Sequence, residues 1–325
     1  MQVTRRAVMG GALAALGGRV GAQAGARVAL ALQEGGTASW EIAAMQAAGL
    51  DAAHGVTLDL RAVADSKGGQ VALQAGAVDV MLSDFVWVSS QRNRGADVTF
   101  VPHGLVVGGL MADPAGPVRG VADLPGHVLA VAGGPADKSF IILQAYFNAT
   151  TGKVLTGLIT AEFGPPPLVN ELLLGGQAQA ALNFWHFNVR ARLAGMGQVM
   201  GVAEMLAALG VSRQPPLLGW VFRDTGPVAA VRAFLDASFA TKALLLADDA
   251  IWDQIRPGMR AAETDDALFI ALRDAYRAGI VTSYGAADVQ AATETYAILA
   301  QYGGSDVIGD KPDLAPGTFW AGYAR

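Results

Sequence analysis

From residue 27 onward the hydrophobic pattern of this chain switches between strand and helix periodicity, and it does so twice in the same order. An apolar run over 27–32 is followed by helical spacing over 37–53 and alternation over 56–63. A helix over 66–75, a strand over 78–82, a helix over 84–94 and a strand over 98–101 complete the first round. After Pro114 and Pro117 the pattern restarts: strands over 128–131, 158–162, 178–183 and 199–202 alternate with helices over 137–149, 168–174 and 185–194. Alternation of this kind builds βαβ units on a mostly parallel sheet. One more strand, 217–222, precedes four helices over 227–246, 250–255, 264–278 and 286–302. With no strands of their own, those helices have to pack on something already built. The economical topology leaves a first lobe near 105–112, builds a second, and returns near 217–222. The C-terminal helices then cover the first lobe, and Trp320 and Tyr323 pin the tail. The expectation is an α/β fold of two lobes, 25–107 plus 220–325 and 108–219. Each lobe is a mostly parallel sheet flanked by helices, and a two-segment hinge joins them.

Composition removes several classes of function. The net charge is −5, with no basic surplus of the kind that nucleic-acid binding requires. The chain has no cysteine, which excludes disulfides, thiolate metal sites, cysteine nucleophiles and a lipoprotein anchor. Its histidines, His54, His103, His127 and His186, are too scattered to suggest a metal-ligand pair, and neither a metal nor a cofactor is expected. Residues 1–24 read as an export signal. Arg5-Arg6 opens a twin-arginine pattern, a weakly apolar Gly/Ala-rich stretch follows, and Ala22-Gln23-Ala24 supplies a small-x-small cleavage pattern. Removing it takes away Arg5, Arg6 and Arg19 and no acid. A soluble, exported, periplasmic protein with no direct membrane anchor is the expectation.

In open parallel sheets ligands bind beyond the carboxyl ends of the strands, where helices begin. The segments placed there are 33–40, 64–69, 82–87, 132–139, 163–167 and 183–186. Three of the six tryptophans fall in them, Trp40, Trp87 and Trp185, with Phe85, Phe184 and His186 beside them. Flat side chains at a sheet mouth suit a flat or apolar ligand, although each one alone could equally pack a helix start. Thr37, Ser39, Asp137 and Ser139 lie in two glycine-led turns, as ligand contacts or helix caps. Neither turn matches a nucleotide-binding pattern. Carboxylates outnumber cations here: Glu34, Glu41, Asp65, Asp84 and Asp137 against Lys67 and Lys138. Unless these acids only complement helix N-termini, they favour a ligand with a protonated nitrogen, received by Asp84 or Glu41. The expected ligand-binding set is Thr37, Ser39, Trp40, Asp84, Phe85, Trp87, Asp137, Ser139, Trp185 and His186, with no catalytic residue.

Several stretches carry a family resemblance. They are Gly36-Thr37-Ala38-Ser39-Trp40-Glu41, Gly49-Leu50-Asp51 through His54-Gly55-Val56, and Ala72-Leu73-Gln74-Ala75-Gly76-Ala77-Val78-Asp79. Val121-Ala122-Asp123-Leu124-Pro125-Gly126 and Asn170-Glu171-Leu172-Leu173 with Gly175 and Ala180 extend it over the chain. Together they resemble the substrate-binding proteins of ABC importers in the nitrate/sulfonate/taurine group, which also includes binders of thiamine-pyrimidine precursors. The resemblance implies a type II periplasmic-binding fold, a small organic solute held between the lobes, an ABC permease at the inner membrane as partner, and a monomer. The loops 83–87, 133–139 and 184–186 differ from those expected for sulfonate or nitrate, which points toward an aromatic or nitrogen-containing solute. Enzymatic relatives carry a cysteine-rich motif that this chain lacks. The readings carried beside a transport receptor are a periplasmic enzyme, with Asp84 as base, and a ligand-binding partner or sensor on the same fold.

Overall fold

The computed structural model describes residues 26–323; the expected export signal lies outside the described residues. The first round of alternation gives β1 (Ala26–Gln33), α1 (Ala38–Ala47), α2 (Leu50–Ala53), β2 (Val56–Val63), α3 (Ser66–Gln74), β3 (Val80–Asp84), α4 (Phe85–Asn93) and β4 (Val98–Gly104). The helix expected over 37–53 is two helices. Gly49 turns the chain at φ 65°, a conformation that favours glycine, and α2 starts afresh.

The second round begins with a strand that periodicity did not reveal, β5 (Gly109–Ala112). It continues through β6 (Val128–Ala132), α5 (Lys138–Thr151), β7 (Thr160–Gly164), α6 (Pro166–Leu174), β8 (Ala180–Asn183), α7 (Trp185–Leu193), β9 (Gly197–Gly201) and α8 (Val202–Ala208). The return strand is β10 (Leu218–Arg223). After it come α9 (Val228–Ala247), α10 (Ala250–Ile255), α11 (Asp266–Ala278), α12 (Ala286–Gly303) and α13 (Ser305–Ile308).

The strands form two five-stranded sheets, β2-β1-β3-β10-β4 and β7-β6-β8-β5-β9. They are topologically alike. In each, one strand runs antiparallel to both neighbours: β10 between β3 and β4, and β5 between β8 and β9. Each of these arrives directly from the other sheet, so each lobe is completed by chain crossing over from its partner. The two crossings touch, where the Gln214 side-chain amide donates to the Leu105 carbonyl. Residues 105–112, expected to be only a connector, thus hold a strand buried on all four residues.

Strand β4 is an edge, yet six of its seven residues are buried. The tail explains this. Phe319 bridges Phe100, the Trp320 N–H donates to the Phe100 carbonyl at 2.9 Å, and Thr99 donates to the Gly317 carbonyl at 2.9 Å. A covered edge has no unpaired ladder to offer another chain. Trp320 lies parallel to Tyr323 and edge-on to Phe222, as the expectation of a pinned tail requires.

The C-terminal helices do more than cover the first lobe. Helices α9 and α10 do so, with Val231, Phe234 and Leu235 packed on Val28, Leu30, Val80 and Trp220. Helix α11 packs on Trp40 and α10 of the first lobe and also against α7 of the second, and α12 packs against α5 of the second. Leu299 and Tyr296 of α12 share one apolar cluster with Phe140 and Ile142 of α5 and with Phe85 of α4.

Where the chain enters β5 there is room only for glycine. A Cβ on Gly108 would lie 1.7 Å from the Asn183 carbonyl oxygen and 3.0 Å from Phe184 Cα. Gly108→Ala is expected to force β5 off β8, lowering stability by about 1–3 kcal/mol, as overpacking does. Urea unfolding measures this, and an unchanged midpoint would contradict the packing described.

Candidate functional site

The loops β1–α1, β3–α4, β6–α5 and β8–α7 all lie at the carboxyl ends of parallel strands, and those of the two sheets face each other. Two contacts span the gap. Lys138 Nζ, on the first residue of α5, lies 3.0 Å from Asp84 Oδ2, at the head of α4. Burial disfavours the Lys138 ammonium, but the charge and hydrogen bond of Asp84 outweigh it and hold its pKa above the ordinary lysine value. The second contact is aromatic. Trp185, opening α7, meets Trp40 edge-on at 6.0 Å and Tyr276 of α11 at 6.1 Å. Between these contacts lies a cavity of about 40 Å³, bordered by Thr37, Leu82, His103, Trp185, Leu218 and Tyr276. That volume holds about one water molecule, so a solute requires Trp185 to move or the lobes to part.

Behind His103 and Tyr276 of the cavity wall lies a buried polar cluster. Glu41 is fully buried on α1, and a carboxylate there has to be surrounded by donors. Lys242 Nζ of α9 lies 2.8 Å from Oε2, Ser238 donates to Oε1, and the Tyr276 hydroxyl lies close enough to the same carboxylate for its charge to raise the Tyr276 pKa. Ser238 in turn accepts from Lys242 at 2.7 Å and from the Trp220 indole N–H at 3.2 Å. Burial lowers the pKa of Lys242 against the pull of Glu41. Burial and the Glu41 charge raise that of Tyr276 well above the ordinary value. His103 stands with Nδ1 3.4 Å from Glu41 Oε2. Burial pushes its pKa down to about 4, so it is neutral at physiological pH.

Of the ten residues expected at the site, Thr37, Asp84 and Trp185 meet at the gap, and Trp40 backs it at 7% exposure. Ser39 is turned into its own loop, donating to the Gly36 carbonyl at 2.6 Å. Asp137 caps α5 by accepting from the N–H groups of Ser139 and Phe140, and burial raises its pKa. Phe85 departs from expectation. It is fully buried against Phe100 and Phe319, because the first residue of α4 turns into the core and not toward the mouth. Trp87 packs half-buried against that same core. His186 sits against Trp185 and Phe187 with Nδ1 buried and unpartnered. Burial and the charge of Arg190 lower its pKa to about 3.

The basis for receiving a protonated nitrogen also changes, because Asp84 and Glu41 are already neutralised by Lys138 and Lys242. Sequence reasoning missed His103, Tyr276, Lys242, Arg190 and Arg260. Arg190 on α7 donates to the His186 carbonyl at 2.6 Å. Its pKa is lowered by burial and by the charge of Arg260. The Arg260 guanidinium carbon lies 3.0 Å from where a Cβ on Gly35 would stand. Neither arginine has an acidic partner among the described residues. Within the same limits no cluster of metal-ligating side chains occurs, and no helix is long and apolar enough to cross a membrane.

Solved structures share this architecture. The alkanesulfonate-binding protein SsuA of Xanthomonas axonopodis pv. citri, bound to MOPS, superposes with a TM-score of 0.69 at 15% identity, covering 91% of this chain and 98% of that one. The periplasmic aliphatic sulphonate-binding protein SsuA of Escherichia coli gives 0.69 at 14%, covering 90% and 92%. The periplasmic nitrate-binding protein NrtA of Synechocystis gives 0.56 at 11%, covering 77% and 69%. The chain has the two-lobed fold of the periplasmic binding proteins. No protein-family model and no curated protein sequence matches it.

His103 and His186 carry a pH signature. Their folded pKa values, about 4 and about 3, lie below the ordinary 6.5. The unfolded chain therefore takes up protons that the folded chain refuses. The stability contributed is complete above pH 6.5 and is lost as pH falls toward 4. Between pH 6 and pH 5 each histidine is expected to remove roughly 1 kcal/mol. Urea unfolding at both pH values, for the native chain and for His186→Phe, tests this: the variant should lose measurably less, and equal losses would contradict the buried neutral state of His186.

Proposed function

We propose that this protein is a periplasmic solute-binding protein. It captures a small organic anion between two lobes and delivers it to the permease of an ABC importer. The fold supports the general reading, and one observation carries the ligand's charge. Arg190 approaches from the second lobe, and Arg260 lies over the Gly35 turn of the first, with no carboxylate paired to either among the described residues. Like charges that meet as lobes close oppose closure, and an anion between them reverses the sign. Aromatic side chains at the same mouth, Trp185, Trp40 and Tyr276, favour an anion with a flat body.

In this reading lobe one is 25–107 with 220–325 and lobe two is 108–219. The chain is exported through a twin-arginine signal in residues 1–24 and works as a soluble monomer. Closure around the ligand forms the surface that the permease recognises. A hydrolytic or proton-transfer role through Asp84 is poorly served, since one oxygen caps the Trp87 N–H and the other holds Lys138.

Native mass spectrometry of the purified protein, followed by denaturation, tests the reading directly by the mass and charge class of any small molecule released unchanged. With such an anion in hand, Arg190→Met, Arg260→Met and Trp185→Ala are each expected to weaken binding at least about tenfold in calorimetry. Undiminished affinity in both arginine variants would refute the anion site, and chemical turnover of the ligand would refute the receptor role.

A further inference from the structure

Resting on the reading just given, we infer that His103 selects the ligand. It offers a hydrogen-bond acceptor at the deep end of the cleft and so requires an N–H or O–H donor on the end of the anion remote from its charge.

The inference starts from Glu41. Every other group around that carboxylate is a donor: Lys242, Ser238 and Tyr276. A neutral imidazole facing it at 3.4 Å through Nδ1 is favourable only if Nδ1 carries the proton, because a lone pair turned toward a carboxylate is repelled. The Glu41 charge therefore favours the tautomer with Nε2 bare. His103 is 8% exposed and borders the cavity, and its enclosed Nδ1 approaches Glu41 at ion-pair distance without completing a hydrogen bond. The edge of the ring turned away from Glu41 is the one that carries Nε2, and no hydrogen bond among the described residues engages it. Trp220 packs edge-on against the ring at 4.9 Å and holds its plane.

Most of the rest of the cavity wall is apolar or aromatic. Leu82, Leu218, Trp185 and the Tyr276 ring leave a ligand few other polar contacts at this depth, and the Thr37 hydroxyl makes no capping bond. A buried acceptor with no partner penalises any ligand that cannot supply one. Glu41 is thus a positioning residue, acting through His103. The substrate class is a flat organic anion with a donor at its far end, such as a hydroxylated aromatic acid or a heteroaromatic acid with a ring N–H.

The test uses matched probes titrated calorimetrically into the purified full chain. They are benzoate against 4-hydroxybenzoate, phenylacetate against 4-hydroxyphenylacetate, and 1-methylindole-3-carboxylate against indole-3-carboxylate. The donor-bearing member of at least one pair is expected to bind about tenfold tighter or more. In His103→Leu that ratio should fall to within about twofold, the loss falling on the donor-bearing member. His103→Gln, which restores an acceptor of similar reach, should recover part of the ratio. A ratio unchanged in His103→Leu, or no donor preference in the native chain although the anions bind, overturns the role of His103 and leaves the anion receptor standing. Failure of all six probes to bind the native chain overturns the flat-anion reading, and this inference with it.

Discussion

In each sheet the position between the third and the outermost parallel strand is filled by chain that has just crossed from the other lobe, and the remaining architecture depends on that exchange. Both β5 and β10 pair on each side with strands of the lobe they complete, so each is held by a ladder on both edges. The return strand also supplies the cleft. Its first residue, Leu218, borders the cavity, and Trp220, two residues on and so on the same face, gives its indole N–H to Ser238 beneath it. Between them, Gly219 lets Phe100 approach to where a Cβ would stand only 2.4 Å from the ring. One strand therefore ties the hinge, the cleft wall and the buried Glu41 network into a single unit.

That network also explains why counting acids misleads at this cleft. In water a carboxylate at a loop is free to meet a ligand cation. Here Glu41 is at zero exposure and survives only because Lys242, four residues after Ser238 on α9, arrives with it. Asp84 is likewise taken by Lys138 across the gap. With these two acids paired, Arg190 and Arg260 stand without an acidic partner among the described residues, as Lys67 does, and Glu34 stands without a basic one. An acid that is already paired therefore gives no basis for expecting a cationic ligand.

Much of the fold was legible because it is written in periodicity. The boundaries of β2 match the expected strand at both ends, and α4, α7 and α10 begin within a residue of expectation. What escaped were elements that break a local rule. Strand β5 is only four residues, Gly-Leu-Met-Ala, flanked by glycine, and its strand character comes from two neighbours distant in sequence. The site was half legible. Loops at strand ends were found by topology, which placed Thr37, Asp84 and Trp185. The direction in which a side chain leaves a helix start was not, which is why Phe85 fell in the core. Arg260 reaches Gly35 from more than two hundred residues away, and no spacing rule connects them. Lys242 did leave a trace, as the sole lysine in the apolar stretch of α9 from Phe234 to Ala247, where a charged residue with no polar face to occupy signals a buried partner.

The bridging helices set how the lobes can respond to a ligand. Trp185 gains edge contacts to Trp40 and Tyr276, each worth about 0.5–1.5 kcal/mol beyond area burial. Val189, one turn further along α7, is buried in the same cluster as Phe269 and Leu272 of α11. The half-exposed Asp84–Lys138 pair adds at most about 1 kcal/mol. Contact between the lobes is thus favoured by a few aromatic and apolar contacts, and the charge of Arg260, which lowers the Arg190 pKa, acts against it. A ligand shifts that balance only by what it gains in the closed arrangement over the open one. A neutral solute of the same shape would have to displace Trp185 while leaving the arginines in repulsion. On the proposed reading, an anion seated between the arginines would cancel that repulsion and take over the aromatic surface that Trp185 gives up, drawing its differential affinity from the feature that otherwise opposes closure.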